Sequence, residues 1–422
     1  MNPVTPRGFR DVLPQEAAER ATVAASLATV FDNWGYGPVE TPVAEELPML
    51  EAGAGSLAGT AFRLFDSDGR LLALRPDMTV PIARLVASRL KGQRGPHRMR
   101  YVADVFREQA SLRGQARQFT QAGIEFVGGE GPAADAEVLT VLIEAVAAAG
   151  LERYTVAVGT VAILSALLDA SGADEPWCAE VRIAAHDRNL VEIDRLATRE
   201  DLAADVARAL PAVVRIQGGR EAIDACREHV AACGCDGVLD EFEATWDLLE
   251  ASGVSERVTV DFGTMRSFDY YTGIVFEVLA PGLGLPVGGG GRYDGVLGEF
   301  GAPAPAAGFA IGIERLHIAL TEQQAVPAAR RVDAVLGGDD AADVLAAGAR
   351  LRAAGWRVRL AVGASGEDTV AEARDFGATE ALRATGDGGI VRLDRAGEAA
   401  DPLLEPLAGP PPVAVTQEGA VR

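Results

Sequence analysis

The sequence predicts an α+β protein that has more than one domain. Strand-like patterns occur at 62–76, 98–128 and 257–280, and a helix-rich stretch at about 172–255 precedes the last of them. Segregated strands and helices are typical of the α+β class, whereas strand-helix alternation at 333–407 indicates a small α/β domain. At 422 residues the chain is long enough for roughly two to four domains.

The first part of the chain contains both helical and strand patterns. Val23, Leu27 and Phe31 recur at helical spacing, and Asp68-Gly69 is a turn signal between two strand-like runs. The predicted elements are a helix at 16–34, a hairpin at 62–76, a helix at 80–90, two strands within 98–128 and a helix at 134–149.

Changes in composition mark the domain boundaries. A linker-like segment at 326–332 separates the main part of the chain from the alternating part. The tail contains three consecutive prolines and few large apolar residues, a composition typical of disorder. The predicted organisation is a main domain at 1–325 with a helical insertion at about 172–255, a small domain at 333–407 and a disordered tail at 408–422.

Charge and cysteine content restrict the class of protein. The net charge is −22 and Lys91 is the only lysine, so general nucleic-acid binding is disfavoured and a lysine-dependent phosphate loop has no place. Cys233 and Cys235 are separated by a single residue, a spacing that matches neither a redox pair nor a four-ligand zinc site. The chain has no apolar run of about 18 residues and no signal-peptide core. We therefore expect a cytoplasmic protein without a membrane span, a metal or a cofactor.

A first group of candidate site residues follows a predicted strand. Pro76 fixes the backbone, and Asp77 and Thr79 then place oxygen acceptors at the start of the helix at 80–90. These oxygens could simply cap the helix. Alternatively, the Asp77 carboxylate binds an ammonium or imidazole group of a ligand.

A second group lies on the two strands predicted within 98–128. Side chains two residues apart on a strand share a face, so Gln121 and Glu125 are predicted to point the same way. Arg107 and Arg113 belong to the end of the first strand and the connection, and their guanidinium groups suit phosphate or carboxylate recognition. An exposed hairpin with ordinary surface arginines is the alternative.

A third group lies near the end of the main domain. Arg266, Tyr270 and Tyr271 occur within an apolar run, where polar groups are costly to bury, so they indicate a lined pocket or a structural aromatic cluster. The glycine run 288–291 would let a backbone approach a ligand closely, although a flexible hairpin tip gives the same pattern. Arg315 is close to a predicted helix start, where it could meet a phosphate or form an exposed ion pair.

The order and spacing of these motifs resemble the class II histidyl-tRNA synthetase family over about residues 5–325. The resemblance rests on six segments, PRGFRDVLP, YGPVETPV, VFRE with RQFTQAGIEFVG, RSFDYYTGIVFE, GGRYDG and GFAIGIERL. It implies a class II aminoacyl-tRNA synthetase-like fold, in which helices flank a central antiparallel sheet. It also implies a dimer that forms through the YGPVETPV segment.

Within this family the resemblance leaves two main alternatives, the synthetase itself and its paralogue, the regulatory subunit of ATP phosphoribosyltransferase. The synthetase usually has RPEGT where this chain has RPDMT. In FREQASLRGQARQFTQ, moreover, Gln109, Ala110 and Gln115 stand where the synthetase has a glutamate and two arginines. Losing two guanidinium groups removes charge that adenylation needs, so these departures favour the regulatory paralogue.

The resemblance also implies a set of ligand-binding residues, and none that would be catalytic in this chain. Arg113 and Arg315 would contact a phosphate or another anion. The residues that would line a histidine-type pocket are Asp77, Thr79, Arg107, Gln121, Glu125, Arg266, Tyr270, Tyr271 and Tyr293.

The small C-terminal domain bears on the same choice. It resembles the anticodon-binding domain of the synthetases weakly, and residues 331–422 carry 10 Arg, no Lys and 15 Asp+Glu. The net charge of these residues is therefore negative, which disfavours binding to the negatively charged RNA backbone. The regulatory paralogue usually lacks most of this domain, so the presence of the domain is the feature that favours the synthetase.

The function expected from the sequence is that of a non-catalytic regulatory subunit. It would pair with a short catalytic subunit of ATP phosphoribosyltransferase, would be required for the first step of histidine biosynthesis, and would transmit inhibition by histidine. It would form a dimer within a hetero-oligomer, with neither tRNA nor a membrane as partner. The alternatives are an unusual histidyl-tRNA synthetase and a free-standing amino-acid sensor.

Overall fold

A nine-stranded sheet is the largest element of the computed structural model, which describes residues 4–108, 116–264, 270–327 and 332–402. The chain separates into two compact units, residues 1–327 and 328–422. Each unit has a hydrophobic core of its own. Across the described ranges, no helix is both long enough and apolar enough to cross a membrane.

The N-terminal part of the first unit consists of two helices and a small sheet before α3. Pro14 begins α1, where its fixed φ suits a first helical position, and Val23, Leu27 and Phe31 face the core. The elements are α1 (Pro14–Asn33), β1 (Gly37–Pro38), β2 (Ala44–Glu46), α2 (Leu47–Ala54), β3 (Arg63–Phe65), β4 (Leu71–Leu74) and α3 (Thr79–Arg89). Strands β3 and β4 pair antiparallel, which confirms the predicted hairpin.

Two long antiparallel strands follow and bring the chain into the centre of the large sheet. The elements are β5 (His97–Phe106), β6 (Gln118–Val127), α4 (Gly131–Ala148) and β7 (Thr155–Thr160). Strand β6 is buried from Gln121 to Val127, since strands flank both of its edges and helices α1 and α4 pack against it. Helix α4 is rich in alanine and aliphatic residues and is buried over most of its surface, since it packs against the sheet and against two other helices, one of them α1.

A run of helices then occupies the span predicted to be an insertion, and it begins earlier than predicted, at Val161. The elements are α5 (Val161–Ser171), α6 (Glu175–His186), α7 (Leu190–Leu196), α8 (Ala204–Val213), β8 (Gln217–Gly218), α9 (Arg220–Ala231) and α10 (Asp240–Ala251). Helices α5 to α8 share a hydrophobic cluster that includes Leu164, Trp177 and Leu210 and is separate from the main core. Helices α9 and α10 contribute to the main core instead.

The remaining strands of the first unit complete the sheet. They are β9 (Val258–Asp261), β10 (Ile274–Leu279), β11 (Gly288–Arg292) and β12 (Ala306–Gly312), and helix α11 (Ile313–Glu322) follows. The strand order is β1-β5-β6-β12-β11-β10-β7-β9-β8. Neighbours are antiparallel apart from the parallel pairs β1/β5 and β7/β9. The predicted antiparallel sheet flanked by helices is therefore confirmed.

The glycine run is strand β11 itself and not a hairpin tip, because it lies buried between β10 and β12. A Cβ atom on Gly290 would lie 2.0 Å from the carbonyl oxygen of Gly308 on β12. A side chain at this position would therefore clash with backbone, which explains why the strand is made of glycine.

The second unit has the alternating pattern that the sequence predicts, with two further strands. The elements are β13 (Ala334–Gly338), α12 (Ala341–Ala353), β14 (Val358–Val362), α13 (Gly366–Asp375), β15 (Glu380–Ala384), β16 (Ile390–Leu393) and β17 (Ala399–Pro402). Strand β13 pairs parallel with β14 and β15, and β16 and β17 extend the sheet antiparallel. Leu336, Leu351 and Trp356 belong to its core. The predicted tail at 408–422 lies outside the described residues.

Candidate functional site

A cavity of about 790 Å³ opens in the first unit beside β6, β11 and β12. The predicted site residues that line it are Asp77, Thr79, Arg107, Gln121, Tyr270, Tyr271, Tyr293 and Arg315. The fold thus brings together side chains from widely separated segments of the sequence. Arg113 and Arg266 lie outside the described residues, so their roles stay predictions.

Asp77 places a carboxylate in the cavity just before α3. The residue is 6% exposed, and its Oδ1 atom has no hydrogen-bond partner within the described part of the chain. Burial raises the pKa of Asp77, while the Arg107 guanidinium and the backbone amides of Val80 and Thr79 act to lower it. A buried acceptor without a donor is costly, so this carboxylate suits a ligand that brings a cationic donor.

Gln121 places a second acceptor on the wall of the same cavity. It lies on β6 opposite Gly312 of β12, it is 7% exposed, and its Oε1 atom lacks a donor among the residues that the structure describes. Two buried acceptors therefore face one cavity, from Asp77 and from Gln121. An amino group or an imidazole N–H supplies the donors that such a pair requires.

Glu125 lies behind the cavity wall and holds two of its residues. Thr79 Oγ1 donates to Oε1 of Glu125 over 2.9 Å, and the Tyr293 hydroxyl donates to Oε2. Burial raises the pKa of Glu125 to about 8, although the hydrogen bonds from Tyr293 and Thr79 act to lower it. Gly308 on β12 makes room, because a Cβ atom there would lie 2.1 Å from Oε2 of Glu125.

Aromatic rings form one side of the cavity. The rings of Tyr270 and Tyr271 have centroids 4.5 Å apart, and their hydroxyl oxygens are 3.3 Å apart. Tyr293 meets Tyr270 edge to face at 6.1 Å. An aromatic wall beside a buried carboxylate suits a planar cationic ring such as imidazolium.

Two arginines of the cavity, Arg107 and Arg315, are oriented by backbone carbonyl groups. Arg107 Nε donates to the carbonyl oxygen of Pro76 over 2.7 Å, and its guanidinium lies 5.2 Å from the ring centroid of Phe119. Arg315 Nη1 donates to the carbonyl oxygen of Pro286 over 3.0 Å. Both side chains are therefore held against the cavity that they line, where they could meet an anionic group of a ligand.

Sequence reasoning missed several residues that line the cavity. They are Gly8, Phe9, Arg10, His186 and Glu314 among others. The segment PRGFRDVLP contained the first three, but as a resemblance alone it assigned them no chemistry. His186 carried no motif at all, since it is a single histidine within the helical insertion.

Comparison with known proteins places the chain among relatives of known name. A family model described as histidyl-tRNA synthetase matches residues 8–316. A protein from Symbiobacterium thermophilum named ATP phosphoribosyltransferase regulatory subunit is 41% identical over 389 residues, which are 90% of this chain and 96% of that protein. A protein of the same name from Moorella thermoacetica is 39% identical over 356 residues, which are 84% and 91% of the two chains.

Solved structures of the histidyl-tRNA synthetase family are also similar to this chain. A crystal structure from Bacillus halodurans, described as an ATP phosphoribosyltransferase regulatory subunit/histidyl-tRNA synthetase, has a TM-score of 0.77 at 30% identity and covers 88% of this chain and 96% of that one. Histidyl-tRNA synthetase from Nostoc has a TM-score of 0.77 at 21% identity, covering 95% and 97%, and this likeness shows the fold alone.

The C-terminal unit is shared with at least one named regulatory subunit. The Symbiobacterium relative matches 90% of this chain, which is more than residues 1–327 can supply. The similarity therefore extends into the second unit. The expectation that regulatory subunits lack most of this domain does not hold for that relative.

Proposed function

Because the chain belongs to the family of ATP phosphoribosyltransferase regulatory subunits, within the wider histidyl-tRNA synthetase family, we propose that its cavity binds free histidine and reports that binding to a catalytic subunit. The chain is a non-catalytic regulatory subunit in histidine biosynthesis, and its partner is the catalytic subunit of ATP phosphoribosyltransferase. The proposal concerns the ligand of the cavity and the effect of that ligand.

Two buried acceptors in one cavity are the observation that supports histidine most strongly. Oδ1 of Asp77 and Oε1 of Gln121 lack donors within the described ranges, so a ligand with N–H groups would satisfy both. Histidine carries an ammonium group and an imidazole N–H on one small molecule. Its ring also matches the aromatic side of the cavity formed by Tyr270, Tyr271 and Tyr293.

Coupling between the histidine site and the partner's active site is the proposed regulatory effect. A ligand that changes the affinity or activity of a partner does so through a coupling free energy of typically about 1–3 kcal/mol. Histidine is the end product of the pathway in which the partner acts. Inhibition of the catalytic subunit on histidine binding would therefore slow the pathway when histidine is abundant.

Self-association within a hetero-oligomer is the second part of the proposal. Val43, the last residue of YGPVETPV, is 46% exposed, and Leu64 and Phe65 on β3 are 38% and 74% exposed. Exposed apolar side chains on one small sheet and just before it support a contact with another copy of the chain. We propose a dimer of this kind in a cytoplasmic complex.

A role without tRNA is the third part. The substituted residues Gln109, Ala110 and Gln115 lie outside the described residues, so their effect on ATP binding stays a prediction. The acidic balance of residues 331–422 supports the absence of tRNA, because a positive surface is what holds an RNA backbone.

Calorimetric titration of the full chain tests the choice of ligand. Histidine is expected to bind with one site per chain, and leucine, which has an ammonium group but no ring N–H, is expected to bind much more weakly. Leucine heats equal to those of histidine, or no heat with histidine, would contradict the proposal.

A further inference from the structure

The corner between α6 and α7 has a backbone conformation that arginine rarely adopts. Arg188 has φ +52°, in the left-handed region. The amide of Asn189 donates to the carbonyl of Ala184 over 2.8 Å, and the amide of Arg188 donates to the carbonyl of Ala185 over 3.1 Å. This pair of bonds is the Schellman helix end, whose left-handed position usually holds glycine. An arginine there indicates that its side chain is needed.

The side chain of Arg188 joins this corner to the central sheet. Its Nη2 atom donates to Oδ2 of Asp261 over 3.1 Å and to Oγ1 of Thr264 over 2.7 Å. Both acceptors are buried, at 5% and 1% exposure, and they lie at the end of β9. One nitrogen of a half-exposed side chain thus links the insertion to a buried turn of the sheet.

An apolar cluster and a polar contact both hold the corner. A crevice of about 80 Å³ lies beside the ion pair, lined by Arg188 and Asp261 together with Leu190, Ile193 and Val214. Helices α6 and α7 also pack into a hydrophobic cluster that is separate from the main core. The polar link from Arg188 adds a directional restraint on the position of the corner against the sheet.

His186 precedes Arg188 by two residues and lines the main cavity. Within the described ranges, it is the one residue of the α5–α10 run that reaches this cavity. An imidazole at this position can donate to or accept from a polar ligand. The contacts of Arg188 therefore restrain the position of His186, the residue through which the helical insertion reaches the cavity.

We propose that His186 contacts the ligand in the cavity, and that Arg188 is a positioning residue that holds it there through Asp261 and Thr264. This inference rests on the proposed function, and it adds that the helical insertion supplies part of the histidine site. Binding of histidine is then linked to the position of the insertion against the sheet.

Replacing Arg188 by glycine removes the positioning side chain without adding backbone strain. Arg188→Gly removes the side chain, but it also places at φ +52° the residue that adopts this conformation most easily. Gln324 is the matched control, because it is exposed, has φ +56° and occupies the same position in a Schellman end after α11. Gln324→Gly makes the same backbone change away from the link.

Histidine titration of the full-length variants, at a temperature where each keeps the circular dichroism of the wild type, measures the effect. Arg188→Gly and His186→Ala are each expected to weaken histidine binding about tenfold, equivalent to about 1.4 kcal/mol. Gln324→Gly is expected to bind like the wild type. Arg188→Lys keeps one nitrogen donor and is expected to stay within about threefold of the wild type.

The outcomes distinguish this inference from the proposed function. Arg188→Gly that binds histidine as tightly as the wild type overturns the positioning role of Arg188, as does an equal loss in Gln324→Gly. His186→Ala that binds histidine as tightly as the wild type overturns the contact from His186 to the ligand. Each of these results leaves the proposed function in place. Absence of histidine binding in the wild type overturns the proposed function and this inference together.

Discussion

The hydroxyl of Thr79 donates a hydrogen bond of 2.9 Å to Oε1 of Glu125 and so joins the start of α3 to the centre of the sheet. The other carboxylate oxygen accepts from Tyr293 at the end of β11. Glu125 is 1% exposed, and two lining residues of the cavity are therefore held by one buried carboxyl group. The shape of the cavity depends on this group and on Gly308, which makes room for it on β12.

Glu125 makes stability depend on pH. Its pKa is raised from 4.5 to about 8 by burial, so the unfolded chain loses this proton at lower pH than the folded protein does. The contribution of Glu125 to stability is thus fully present below about pH 4.5 and is lost progressively as the pH rises to about 8. Glu125→Gln does not titrate, so its free energy of unfolding should decline less than that of the wild type over this range. Urea unfolding at several pH values measures both, and parallel declines would show that Glu125 does not titrate in this way.

Asp77→Asn is expected to weaken histidine binding without weakening the fold. The variant removes the charge that would meet a cationic group, and such a bond is typically worth about 1.5–3 kcal/mol, a loss of tenfold or more. The free protein should be at least as stable as the wild type, because a buried carboxylate with an unsatisfied oxygen is removed. Titration with histidine and thermal unfolding without it check the two parts. Asp68→Asn, at the exposed turn before β4, is the control and should change neither.

Gly308→Ala is expected to destabilise the folded chain strongly. A Cβ atom there would lie 2.1 Å from Oε2 of Glu125 and 2.4 Å from the carbonyl oxygen of Ile124, and neither neighbour can move away freely. Overpacking of this kind typically costs about 1–3 kcal/mol and occasionally more. Gly298→Ala is the control, since a Cβ atom on Gly298 would meet nothing within 4 Å. Chemical unfolding should separate the two variants by at least 1 kcal/mol, about the lower bound for overpacking; equal stabilities would contradict the close packing at Gly308.

Arg292 and Asp135 form a buried ion pair next to Tyr293, with side chains 7% and 5% exposed and Nη2 to Oδ1 at 2.6 Å. Arg292→Met leaves the Asp135 carboxylate buried without its partner, a change that typically costs about 3–5 kcal/mol. Arg195→Met breaks a solvent-exposed pair with Glu192 and should cost far less, because water screens such a pair. Thermal unfolding of the two variants compares these costs. A small effect at Arg292 would mean that the pair does not hold this end of β11.

Much of the fold could be predicted because side-chain periodicity carries the information. The alternation on β6 predicted that Gln121 and Glu125 share a face, and the structure places one on the cavity wall and the other directly behind it. The hairpin at 62–76 followed from its turn signal in the same way. Strand β11 could not be identified like this, because glycine has no side chain and therefore no pattern of buried and exposed positions.

The parts of the site that escaped prediction depend on long-range contacts. His186 and Arg188 lie in the insertion, far in sequence from the other cavity residues, and no spacing rule connects them with Asp261. Arg188 also has the left-handed backbone conformation that glycine usually adopts at a helix end. Such positions become visible only once the fold has brought the insertion against the sheet.

A mixing assay with the short catalytic subunit of ATP phosphoribosyltransferase tests the central claim most directly. Formation of phosphoribosyl-ATP is followed with and without this chain and with and without histidine, and charging of histidine tRNA is measured in parallel. We expect stimulation by the chain, inhibition by histidine that is relieved in Asp77→Asn, and no charging. Charging of tRNA without stimulation of the catalytic subunit would contradict the regulatory role.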